Sequence, residues 1–189
     1  LSKKWKLKHL DSGVLYRKLA LGIIDEKINF NLDKELKIFI KNYKFNSFKS
    51  QKKLRTEKVS KIASKIAVHK FVRNHVNLFQ KKFVGRFIKN HGFVIDGRDI
   101  GSVVFKKADL KLYIDVNPEI RAKRRYKQLI DSGEKSIYPK ILKDIKLRDK
   151  QDKLRKHSPL VIPKGSHIIN NNGSFKDTVN QINILLDKI

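Results

Sequence analysis

Two carboxylates and a guanidinium stand together at Asp96-Gly97-Arg98-Asp99, directly after the apolar run Phe93-Val94-Ile95 and before Ile100-Gly101. Such a run reads as a buried parallel strand that delivers charged side chains to the carboxyl edge of a sheet, where ligands of open α/β folds bind. Glycine lets backbone approach a ligand closely, and an arginine fork can hold a phosphate or carboxylate through two hydrogen bonds. Asp11-Ser12-Gly13-Val14-Leu15-Tyr16-Arg17 has the same character. Asp11 or Ser12 can cap a following helix, and Arg17 falls about one turn beyond Ser12. Ser64 and Arg73, nine residues apart in a helical region, are a further pair of candidate polar groups. Arg148, Asp152 and Arg155 recur at the spacing of one helical face. Arg121, Arg124 and Arg125 make a last basic group.

These residues need elements to hold them. Lys8-His9-Leu10 is a short extended segment, broken at Asp11-Ser12-Gly13, and Val14–Leu21 has apolar residues at helical spacing. Leu32–Ile40 reads as a second helix, and Asn42–Lys53 as a lysine-rich loop or excursion. Glu57–Phe83 is a long helical region with a junction at Lys70. Leu110–Val116 is a further strand, closed by Asn117-Pro118, where proline and Glu119 suit a helix start. That helix ends at Asp131-Ser132-Gly133, and another covers Tyr138 to about Asp152. His167–Asn170 is a short strand, and Phe175–Ile189 a closing amphipathic helix. Strands alternating with helices predict an α/β protein with a mainly parallel sheet.

Composition narrows the classes. The 189 residues fit one domain with room for a core. The absence of cysteine excludes disulfides and thiolate metal sites and suits a reducing cytoplasm. No apolar run approaches membrane-spanning length, and the basic first residues lack the apolar core of a secretory signal. The formal net charge of +27 invites a nucleic-acid partner. Yet 35 of the 45 basic residues are lysines scattered along the chain, and only ten are arginines. Lysine cannot replace arginine where a planar fork is needed, so each arginine is a candidate for such work.

The ordered set resembles bacterial cytidylate kinase. The matching residues are His9–Arg17, Leu54-Arg55-Thr56-Glu57, Ala63-Ser64-Lys65 with Arg73, Asp96–Phe105, Arg121–Arg125, and Arg148-Asp149 through Asp152 and Arg155 to Pro159-Leu160. They span nearly the whole chain. The resemblance implies a P-loop nucleoside monophosphate kinase fold in one core domain over 1–189. It implies a reduced nucleotide-binding lobe at about 31–90 and a lid at about 121–156. The reaction implied is transfer of the γ-phosphoryl of ATP, with Mg2+, to CMP or dCMP by a cytoplasmic monomer. The glycine-rich GxxxxGK(S/T) loop of such enzymes does not occur in the chain, which begins with Leu. The expectation is therefore a chain lacking its first strand, loop and most of a helix, about 25 residues. Such a fragment should be poorly active and bind CMP better than it turns over ATP.

The resemblance also implies roles. Arg17 and Arg98 would clamp the CMP phosphate, with Tyr16 in the same substrate-binding set. Asp99 and Ser12 could accept from the cytosine amino group, while Ser64 and Arg73 donate to its ring nitrogen and carbonyl. Arg148 and Asp152 belong to ribose and phosphate recognition, and Arg155 could bridge the two phosphates. Arg121, Arg124 and Arg125 would serve the lid, against adenine or the transferring phosphoryl group. Asp96 would orient magnesium without a direct bond. The alternatives are a basic nucleic-acid-binding protein or another small-molecule P-loop kinase. The first predicts steeply salt-dependent binding to RNA or DNA, separable from CMP binding by a filter titration at two salt levels.

Overall fold

The computed structural model describes residues 1–45, 51–89 and 91–188. They form two compact units, Leu1–Ile100 and Gly101–Ile189. Each is built on one pair of parallel strands.

In the first unit β1 (Lys8–Asp11) runs into α1 (Ser12–Asp25). Asp11 is the cap: its Oδ1 accepts from the Val14 N–H at 2.9 Å, which satisfies one of the free N–H groups of the first turn. Leu15, Leu19 and Ile23, at i, i+4 and i+8, form one buried stripe of α1. The stripe packs with Leu36, Phe39 and Ile40 of α2 (Asp33–Asn42), and with Ile66 of α4 (Glu57–Ile66). Val72 and Val76 of α5 (Lys70–Phe87) complete this cluster. Ala20 and Leu21 face the other way, onto Leu54, Val59 and Ala63. Helix α1 is thus covered on two sides, which is why its sequence is so apolar.

Strand β2 (Phe93–Asp96) pairs parallel with β1, with Asp11 opposite Asp96. The expected burial of this strand is not found: Phe93, Val94 and Ile95 are half-buried and Asp96 is exposed. Among the described residues β1 is its one strand neighbour, so half of its surface has no sheet to cover it. The long helical region does break before Lys70, but its second part continues to Phe87. The expected loop at Asn42–Lys53 also needs correction. Gln51–Leu54 is a helical turn, α3, held by buried Leu54. Residues 46–50 of that stretch lie outside the described residues.

In the second unit β3 (Leu112–Asp115) pairs parallel with β4 (His167–Asn170). Helix α6 (Pro118–Asp131) packs on α7 (Tyr138–Leu154), with Tyr126 edge-on to Tyr138 at 6.2 Å. Helix α8 (Phe175–Leu186) opens with a capping box between Ser174 and Asp177. A π-helical turn, Ile100–Val104, follows the Asp-Gly-Arg-Asp segment. Among the described residues no helix is long and apolar enough to cross a membrane.

The ring of His75 sits 5.4 Å from that of Phe45. Burial pushes its imidazole below the ordinary value, and a hydrogen bond to the Tyr43 backbone offsets part of that. The unfolded chain then binds more protons than the folded one between the two pKa values. The stability linked to His75 is therefore full above pH 6.5 and declines as the pH falls below it. Urea denaturation between pH 7.5 and 5.5 should show this decline, and His75→Phe should flatten it.

Candidate active site

The parallel register brings the carboxyl ends of β1 and β2 together, so Asp11, Ser12, Asp96 and the Gly97-Arg98-Asp99 turn meet at one edge. The approach is tight. A Cβ at Gly97 would lie 2.9 Å from the Ser12 Cβ and 2.7 Å from Ile100 Cγ1, so no larger residue fits there without displacement. Arg17 reaches back one turn and pairs with Asp11 at 3.2 Å. Its Nε is buried and has no hydrogen-bond partner.

At the centre lies a buried ion pair. Arg73 and Asp99 are 2 % and 3 % exposed, and their charged groups meet at 2.5 Å. The Arg73 fork also donates to the Ala67 carbonyl at 3.1 Å, while its Nε is left without a partner. The ring centre of Tyr16 lies 5.7 Å from the Arg73 guanidinium, within reach of cation–π attraction. Two buried charges stand only as a pair, because either alone would keep the full desolvation penalty.

Several expected placements change. Ser64 and Arg73 are not on one continuous helix: α4 ends at Ile66 and α5 begins at Lys70. Arg73 instead grips the carbonyl of Ala67, three residues beyond Ser64. Ser64 itself is half-buried. Arg98 is half-buried beside Asp99 in the turn. Asp96 receives a 2.6 Å hydrogen bond from His9 through one carboxylate oxygen. Among the described residues no group of three or more His, Cys, Asp or Glu could hold a metal ion.

The second unit carries its own arginines. Arg148 is half-buried on α7 and Asp152 is buried on the same helix. Arg155 is not on the helical face with them: it is the extended residue that caps α7. From there it pairs with Asp152 at 2.9 Å and donates through Nε to the Ser158 carbonyl at 2.6 Å. Arg121 grips both oxygens of Asp149 with its fork and donates to the Val116 carbonyl at 3.2 Å. The Asp149 hydrogen bonds raise its pKa further. Arg124 bonds Asn171 at 3.2 Å and the Gly173 carbonyl at 2.9 Å, and Arg125 bonds Gln128 at 2.8 Å. Sequence reasoning named His9 and Asp149 only within matching stretches and gave neither a role, and it overlooked Gln80. Gln80 had a readable signal, since it lies seven residues beyond Arg73, two turns along one helix face.

A parallel α/β fold whose strand ends gather arginine forks and carboxylates is that of the P-loop nucleoside monophosphate kinases. The family model described as cytidylate kinase matches residues 1–188. The chain is 41% identical over 177 residues to a protein named cytidylate kinase from Rickettsia africae (strain ESF-5), covering 89% of this chain and 74% of the relative. It is 41% identical over 170 residues to the protein of that name from Rickettsia akari (strain Hartford), and 40% over 176 residues to that from Rickettsia felis (strain ATCC VR-1525 / URRWXCal2), with the same coverage. The chain belongs to the cytidylate kinase family, and by that membership it is an ATP-using kinase. The nucleic-acid reading suggested by its charge is set aside.

Arg73→Ala should cost about 3–5 kcal/mol, because it strands a buried Asp99 charge. The double variant Arg73→Met with Asp99→Leu should recover most of that loss. Urea unfolding of the two proteins against wild type measures both.

Proposed function

We propose that this chain transfers the γ-phosphoryl group of ATP to CMP or dCMP, giving CDP or dCDP. The observation that carries the reading is a pair of buried arginine donors, Nε of Arg17 and of Arg73, that lack partners where β1 and β2 end. A buried donor without a partner costs about 1–3 kcal/mol, and a bound acceptor removes that cost. Phosphate and pyrimidine atoms are such acceptors.

On this reading Arg17 and Arg98 hold the phosphate of the monophosphate. Asp99, fixed by Arg73, can only accept, so it favours the amino group of cytosine over the carbonyl of uracil. Ser64 and Arg73 donate to the remaining edge of the base, and Tyr16 supports the Arg73 guanidinium. In the second unit Asp152 is assigned to sugar hydroxyls, and Arg148 and Arg155 to phosphate. The α6–α7 hairpin is assigned as the lid, with Arg121 holding its two helices together through Asp149 and Arg124 and Arg125 lying nearby. The stretch of about 31–90 is assigned as the nucleotide-binding lobe. Phosphoryl transfer asks mainly for alignment and charge neutralisation, which arginines supply without covalent chemistry.

Magnesium supplies charge neutralisation when it arrives with the nucleotide. The donor set fits an orienting role and not a protein-built cage. Asp96 is exposed, and among the described residues it meets His9 at Oδ1, so the carboxylate would have capacity left to orient the ion. A monomer working in the cytoplasm accords with this reading and with the cysteine-free chain.

Calorimetry tests the reading without turnover. CMP should bind, and UMP should bind at least tenfold more weakly. Arg98→Lys should weaken CMP by about tenfold or more while leaving cytidine unchanged, since only the fork on the phosphate is lost. Equal binding of CMP and UMP, or equal CMP binding by the variant, counts against it.

A further inference from the structure

Gln80 is 1 % exposed, on the same face of α5 as Arg73. Its Nε2 donates to Ser12 Oγ at 2.7 Å, joining residues 68 apart in sequence. Ser12, at 3 % exposure, begins α1 at the end of β1. The other half of the carboxamide, Oε1, is buried without a hydrogen-bond partner. A half-satisfied buried amide calls for a reason. Packing does not supply one: methionine or leucine would fill similar space without burying an unpaired carbonyl.

The orientation of the amide carries the argument. With Nε2 toward Ser12, the unpartnered atom is a carbonyl oxygen. Turned over, Ser12 would donate to Oε1, and the N–H that now meets Ser12 would lose its partner. Unpaired buried N–H groups are the rarer condition in proteins. The amide is therefore held as a donor to Ser12. A serine hydroxyl has one proton and two lone pairs. With a lone pair occupied by Gln80, its proton is directed elsewhere.

We propose that Gln80 is a positioning residue for nucleotide binding: it fixes Ser12 as a donor toward an acceptor atom of the bound monophosphate. The inference rests on the CMP reading of this edge. It reverses the part expected of Ser12, which no longer accepts from the cytosine amino group. That acceptor role falls to Asp99 alone.

The test is a double-mutant cycle read by CMP calorimetry on the full chain. Gln80→Met and Ser12→Ala should each weaken CMP by about tenfold, and the double variant should bind no worse than Ser12→Ala alone. A purely structural Gln80 would give losses that multiply, and that result overturns the proposal. So does CMP binding by Gln80→Met within twofold of wild type. Failure of the wild-type chain to bind CMP would strike the functional reading itself, a separate result. Gln80→Asn, one methylene too short to reach Ser12, replaces Gln80→Met if circular dichroism shows that variant unfolded. In wild type, the side-chain amide signals that either variant removes should shift on CMP addition. Signals that stay still overturn the proposal.

Discussion

The ion pair between Arg73 and Asp99 is the constraint on which the first unit's edge depends. Neither charge can be buried alone, so α5 must come to the turn that follows β2. The same guanidinium holds the end of α4 through the Ala67 carbonyl. Two turns along α5, Gln80 holds Ser12 and with it the start of α1 and the end of β1. One helix thereby fixes the ends of both strands. Gly97 completes the arrangement, because Ser12 and Ile100 press on the place a side chain would fill. An apolar pair of similar volume could anchor the helix equally well. What the ion pair adds is a fixed acceptor and a planar donor at the strand ends.

The arginines show how one residue type divides its work. Lysine covers the chain, and its compact charge suits a solvated surface. Arginine stands where a fork meets defined oxygens: Arg121 on Asp149, Arg124 on Asn171 and Gly173, Arg155 on Asp152 and Ser158. Several of these are internal ties. Scarcity of arginine in a lysine-rich chain therefore marks geometry and does not by itself mark a ligand. On the reading proposed above, buried Nε donors left over on Arg17 and Arg73 mark forks with capacity for a ligand beyond their internal ties.

Much of this was legible from local pattern. Apolar runs, the turn at Asp11-Ser12-Gly13 and the proline start at Pro118 each located an element to within a few residues, because those signals act over one or two turns. The break before Lys70 was readable, yet its consequence was not. The chain bends between Ser64 and Arg73, and Arg73 turns back to grip the Ala67 carbonyl at the end of α4. The Arg155 position failed for a similar reason. A spacing of three implies a shared face only while the helix lasts, and α7 stops at Leu154. Pairings across 68 or 87 residues, Gln80 with Ser12 and His9 with Asp96, carry no local signature at all.

On the proposed reading, base discrimination rests on which atoms at this edge can change their hydrogen-bond sense. A serine hydroxyl can rotate from donor to acceptor, so it distinguishes an amino group from a carbonyl poorly unless something holds it. A carboxylate cannot rotate into a donor. On the reading proposed above, Gln80 removes the freedom of Ser12, and Arg73 fixes the Asp99 carboxylate in place through a buried contact. Uracil would then set its carbonyl against Asp99 and leave buried groups unpaired, a loss large enough to separate two bases that differ at one substituent. On that reading the selectivity comes less from the number of contacts than from the two residues on α5 that stop those contacts from adapting.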